Sequence, residues 1–121
     1  MRRERLLMAR LYLGLARIYH ESFRLHEPFG ADADRLLVAV AVLIGHLENK
    51  PMTASSLSRY LDMPRTTVVR KLESLTRAGV IEETTGHRYC VPRTRVMVVD
   101  GPMRALRMIT ETGRQIGLIA G

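Results

Sequence analysis

Between Thr53 and Ala78 the chain reads TASSLSRYLDMPRTTVVRKLESLTRA, and this stretch limits the fold more than any other. Its period and its breaks predict two short helices joined by a tight turn. Thr53 stands where it can cap a first helix whose inward positions are Ala54, Leu57, Tyr60 and Leu61. Asp62, Met63 and Pro64 interrupt that helix. Proline disfavours helical geometry at the residue before it, yet fits the first turn of the next helix. The second helix is expected from about Pro64 to Ala78, stopping at Gly79, a residue suited to the left-handed position after a helix. Val68, Val69, Leu72 and Leu75 fall on one side; Thr66, Thr67, Arg70, Lys71, Ser74 and Arg77 fall on the other. One side packs while the other offers hydroxyls and cations, which is how a DNA-reading helix is built. An ordinary amphipathic helix with a solvated face shows the same pattern, so the flanking chain has to decide.

The residues beyond Gly79 shift the balance. Val80–Glu83 reads as a strand, Thr84–His87 as a turn with Gly86 near its tip, and Arg88–Val91 as the returning strand, closed by Pro92. Three helices and then a short hairpin is a specific order. The first of those helices is expected over Ala33–Glu48, capped by Asp32 or Asp34; its stretch LLVAVAVLIGHL is apolar almost all round and too long for a usual strand. It reads as the central buried helix, and residues 49–52 as a turn. Ahead of it, Arg2–His26 predicts a long helix with Leu7, Leu11, Leu15 and Ile18 in one stripe and Leu6, Leu13 and Ala16 elsewhere on the wheel. Apolar residues on several sides call for burial on several sides, one of them against a partner chain. Residues 93–99 fit a strand or an extended connector equally well. A last helix is expected over Met103–Ala120, its apolar side marked by Leu106, Ile109, Gly113, Ile116 and Ala120. Gly113, Gly117 and Gly121 recur every four residues, a spacing that lets helices approach closely.

Charge points the same way. The chain carries 19 Lys and Arg against 12 Asp and Glu, a net charge of +7. Residues 50–95 hold nine of the former and four of the latter, so most of the excess sits on the paired helices and the hairpin. That is the footprint of a module that binds a polyanion. Seventeen of the 19 are Arg, which suits phosphate and guanine, but a GC-rich genome explains the bias equally well. With no Trp and few aromatics, stacking platforms for single strands are disfavoured.

Other chemistries find little support. Cys90 could sense oxidants if Arg88 or His87 lowered its pKa, but an inert strand cysteine is the commoner case. His20 and His26 are six apart and share no helix face, so a metal site on one helix fails and only a site shared between two chains survives. His46 reads as a satisfied polar spot in the core, and Ser55, Ser56 and Ser58 as helix surface. No catalytic set, phosphate loop or cofactor motif is present, so no enzyme and no cofactor is expected. The longest apolar run, Leu36–Ile44, is too short to span a membrane. A soluble cytoplasmic protein without a membrane partner is expected.

The stretch LSRYLDMPRTTVVRKLESLTRAGVIEE with TTGHRYCV after it resembles the winged helix-turn-helix of MarR-type bacterial transcription regulators. Thr67, Val68 and Arg70, and the junction from Leu75 to Gly79, Val80 and Ile81, carry most of the resemblance, which is strongest over residues 53–91. It implies a homodimer held by N- and C-terminal helices, with the second helix in the major groove and the wing in the adjacent minor groove. It implies that Arg65, Thr66, Thr67, Arg70 and Lys71 contact DNA from the recognition helix, and His87 and Arg88 from the wing tip. It also implies a possible small-molecule effector held between the dimer arms and the reader, for which a chain this short leaves less room. The chain departs from the family in its shortness and in Glu82 and Glu83 on the outgoing strand, where a basic pair is more usual.

The expectation is thus a mainly α fold with a small β-wing, an α+β winged helix-turn-helix with N- and C-terminal dimerisation helices. Residues 1–30 form the N-terminal dimerisation helix, 31–92 the winged helix-turn-helix and 93–121 the C-terminal dimerisation helix of one DNA-binding domain. The function expected is a sequence-specific, double-stranded DNA-binding transcription regulator acting as a homodimer, with Arg65, Thr66, Thr67, Arg70, Lys71, Ser74, His87 and Arg88 at the DNA. The alternative is a winged-helix module that binds proteins without reading DNA.

Overall fold

The computed structural model describes residues 1–95 and 100–118. Five α-helices are formed there: α1 (Arg2–Ser22), α2 (Ala33–Leu47), α3 (Ala54–Leu61), α4 (Arg65–Arg77) and α5 (Asp100–Gln115). Three short strands, β1 (Met52–Thr53), β2 (Glu82–Thr84) and β3 (Arg88–Cys90), make one antiparallel sheet in the order β1-β3-β2. A 3-10 turn follows at Arg93–Arg95. The fold is a mainly helical α+β winged helix. The chain divides into two compact units, one built on α1 and α5, the other running from His26 through the 3-10 turn.

In the second unit α2 is the central element. The Asp32 carboxylate accepts a hydrogen bond from the Arg35 amide at 3.0 Å and so caps the helix, settling the choice between Asp32 and Asp34. Leu36, Val38, Ala39, Ala41, Val42 and Leu43 are buried, while Leu37 and Leu47 are exposed. Thr53 caps α3 as expected, its hydroxyl accepting from the Ser56 amide at 3.2 Å. Leu57 is fully buried, but Tyr60 is 57 % exposed. On so short a helix the inward arc is narrow, and Tyr60 lies well outside the arc that Ala54, Leu57 and Leu61 share.

The turn into α4 is tighter than its residues suggest. Asp62 takes the left-handed conformation (φ +52°), the Met63 amide reaches back to the Ser58 carbonyl at 3.0 Å, and the Ser58 hydroxyl donates to the Met63 carbonyl at 2.5 Å. Pro64 is the cap residue rather than the first helical one. At the far end Gly79 (φ +74°) ends α4: its amide bonds the Thr76 carbonyl and the Val80 amide bonds the Leu75 carbonyl, both at 3.0 Å.

The hairpin is shorter than predicted. Val80 and Ile81 are not paired as strand but buried as core plugs, and pairing begins at Glu82. Burial takes these two side chains away from the solvated hairpin. The sheet also gains a third strand beyond the expected hairpin: Met52 and Thr53, expected to be turn and cap, pair with Tyr89 and Arg88. His46 does satisfy a core polar group, its Nδ1 accepting from the Val91 amide at 3.4 Å.

In the first unit α1 ends at Ser22, four residues before the expected His26. Arg24 turns left-handed (φ +55°), and the Leu25 amide closes on the His20 carbonyl. Gly14 on α1 faces Met108 on α5, whose thioether fills the space a Cβ would take, the sulfur lying 2.5 Å from that position. Arg104 and Glu21 form an ion pair at 2.7 Å. Leu6, Met8, Tyr12 and Leu13 on α1, and Met103, Leu106 and Ile109 on α5, remain exposed. The last helix stops at Gln115, short of Ala120, because Gly117 adopts φ +83° and the Leu118 amide bonds the Gly113 carbonyl at 2.8 Å. Gly117 is therefore a helix stop and not part of a packing face, which corrects the reading of the glycine spacing. Residues 96–99 and 119–121, which include part of the ambiguous connector and the expected end of the last helix, lie outside the described residues.

Candidate nucleic-acid interface

Helix α4 has three kinds of surface. Val68, Leu72 and Leu75 are essentially inaccessible and fix one side in the core. The directly opposite stripe holds Thr66, Arg70, Glu73 and Arg77, all exposed. Between them run two flanks, and the structure treats them differently from the outer stripe.

One flank is tied to α2. The Lys71 ammonium lies 3.0 Å from the Asp32 carboxylate, both side chains mostly shielded from solvent. The Ser74 hydroxyl accepts from Arg35 Nε at 3.0 Å, and Arg35 Nη1 bonds both carboxylate oxygens of Glu27, at 2.9 and 2.8 Å. Lys71 and Ser74, expected at the DNA, are thus engaged within the protein: their wheel positions border the core, where carboxylate and guanidinium from α2 meet them. Thr67 is half-buried on the same flank. Asp32 feels opposing influences. Burial pushes its pKa up, but the Arg35 amide and the Lys71 ammonium outweigh that and hold the carboxyl below its ordinary value.

The other flank faces the wing. Arg65 Nε donates to the Ser55 hydroxyl at 3.2 Å, linking the start of α4 to the first turn of α3. An open groove of about 350 Å³ runs here, lined by Thr53, Ala54, Ser55, Arg65, Val69, His87 and Tyr89. The Tyr89 phenol is pushed up by burial and then by the carboxylates of Glu83 and Glu73, against a smaller pull from Arg65.

Both wing residues expected at DNA have partners in the protein. His87 Nδ1 sits 3.5 Å from Glu83. Arg88 Nη1 donates to the Pro51 carbonyl at 3.1 Å, so its guanidinium is drawn back from the turn toward β1. The adjacent thiol is not activated. Burial pushes Cys90 up, and Glu82, 3.8 Å from its sulfur, pushes it further. Burial and then the acidic Glu82 act on this thiol, not the basic neighbours considered from sequence. Among the described residues no three His, Cys, Asp or Glu side chains come together to hold a metal ion, and no helix is long and apolar enough to cross a membrane.

Of the eight residues expected at the interface, Arg65, Thr66 and Arg70 present an exposed surface on α4, and His87 and Arg88 one on the wing. Sequence reasoning misses Glu73, and it notes Arg77 on the outer side without carrying it to the interface. Their wheel positions, three and seven residues after Arg70, are readable. The Arg95 guanidinium caps the end of α4 by donating to the Ala78 carbonyl at 3.1 Å, a contact that no local pattern signals.

No curated protein and no solved structure matches the chain. Residues 40–84, from within α2 to the end of β2, match the model of a helix-turn-helix domain family. The chain carries a helix-turn-helix domain, the kind of module with which transcription regulators bind DNA.

Proposed function

We propose that this chain is a sequence-specific regulator of transcription of the MarR type, acting in the cytoplasm as a homodimer on double-stranded DNA. Helix α4 enters the major groove and the wing lies along the minor groove. The observation that carries this reading is the outer stripe of α4. Arg70 and Arg77 stand exposed there without an ion pair among the described residues, while the neighbouring Lys71 is already neutralised by Asp32. Cations left open on a helix-turn-helix meet phosphates and guanine edges. The exposed Leu6 and Leu13 of α1 and Leu106 and Ile109 of α5 support self-association, since apolar side chains in such number usually meet a partner.

A second reading, a protein-binding winged helix, is favoured by the acidic wing, where Glu82 and Glu83 are exposed and His87 leans on Glu83. Selection from a pool of random duplexes separates the two. A DNA reader enriches a pseudo-palindromic site with half-sites about one helical turn apart. Arg70→Ala then weakens that site by about 1–3 kcal/mol and flattens one base pair per half-site. Failure to enrich any site favours the protein-binding module. A monomer in sedimentation at micromolar concentration would remove the dimer from the proposal.

A further inference from the structure

Glu73 is out of place on a surface meant for a polyanion. It is the acidic residue of α4, it is exposed, and it shares the outer stripe with Thr66, Arg70 and Arg77. Helical spacing would let it pair with Arg70 three residues before or Arg77 four residues after. Among the described residues none of the three forms an ion pair. The carboxylate is thus exposed beside two open guanidinium groups, on the side of the stripe from which it also raises the pKa of the Tyr89 phenol.

Toward DNA such a group repels phosphates whatever the sequence, so it lowers binding everywhere. Base edges are not equal to it. Guanine and thymine present acceptors in the major groove and repel a carboxylate. Adenine offers an amino donor with an acceptor beside it. Cytosine offers its N4 amino group alone, the best match. Residues three apart on a helix rise about 4.5 Å, comparable with the step between base pairs. Arg70 and Glu73 therefore reach neighbouring pairs when α4 lies along the groove.

We propose that Glu73 selects cytosine at one position of each half-site, next to the pair read by Arg70, and that it suppresses binding elsewhere. This rests on α4 being the major-groove helix. The test is selection from random duplexes with the full chain, Glu73→Gln and Glu73→Ala. The amide of Glu73→Gln carries a donor and an acceptor that match adenine, so the preferred base at one position should move from cytosine to adenine. Glu73→Ala should lower discrimination at that position about tenfold, and both variants should bind random duplex more tightly at low salt. Both should melt as the parent does, because Glu73 is exposed. If the parent selects a defined site and the profile survives both substitutions, the inference is overturned and the DNA-reading function stands. Tighter random binding with an unchanged profile also overturns it, leaving Glu73 a charge without readout. A parent that selects no duplex overturns both.

Discussion

Two sides of the same helix follow opposite rules. Toward α2, α4 is fastened by an apolar seam and two polar ties: Leu72 and Leu75 in the core, Lys71 on Asp32, and Ser74 on Arg35, itself held by Glu27. On the far side Thr66, Arg70, Glu73 and Arg77 are exposed, and among the described residues none of them forms an ion pair. The difference shows how a small domain divides one helix between a fastened face and an open one. The apolar seam fixes the inward side, since turning the helix by one residue, about 100°, would take Leu72 and Leu75 out of the core. The polar ties border that seam and leave the opposite stripe open. Side chains that look alike on paper, Arg70 and Lys71 above all, are thereby divided between a tie to Asp32 and exposure to solvent.

The comparison breaks first where the fastened side is weakened. Leu72→Ala should cost about 2–5 kcal/mol of folding stability, measured by urea unfolding, whereas Arg70→Ala should stay within about 0.5 kcal/mol of the parent. Equal losses would mean that the outer stripe is structural after all.

Next in size is Asp32, which serves both as the cap of α2 and as the partner of Lys71. Asp32→Ala should cost about 0.5–2 kcal/mol near neutral pH. Its folded pKa is held below the unfolded value of about 3.9. The stabilisation is therefore complete above the unfolded pKa and is lost as pH falls through the folded one. Parent and variant should differ at pH 7 and converge in strong acid. A gap that does not narrow as the pH falls below the unfolded pKa would assign the loss to something other than the carboxylate.

The legible signals are those that act over three or four residues. Thr53 as a cap, Gly79 as a stop and the apolar period of Val68, Leu72 and Leu75 all follow from neighbours in the chain. The break at Asp62 is legible from the proline two residues on, whereas the stop at Arg24 is not, because a left-handed arginine carries no compositional mark. β1 escapes notice because two residues have no period, and its pairing with β3 is a long-range matter. The same holds for the site. The outer stripe can be read from a wheel, but the removal of Lys71 and Ser74 from it depends on Asp32 and Arg35, each 39 residues away.

The smallest effect gives the sharpest test of the division. Lys71→Ala removes one partly shielded ion pair, worth about 0.2–1 kcal/mol, and leaves Asp32 its amide bond from Arg35. Its consequence for folding is therefore slight, and the more telling quantity is salt dependence. A cation that contacts a phosphate releases counterions, so losing it reduces the slope of log K against log salt by about one. Lys71 is neutralised by Asp32 before any DNA arrives. Its removal should leave the slope and the base profile unchanged, with at most a small uniform loss of affinity. Arg70→Ala, measured on the same duplex, should change the base profile. Titration of both variants against the selected site at several salt concentrations decides the matter. Should Lys71→Ala lower the slope as a phosphate contact would, Lys71 leaves Asp32 when DNA binds, and the fastened flank of α4 belongs to the reading surface.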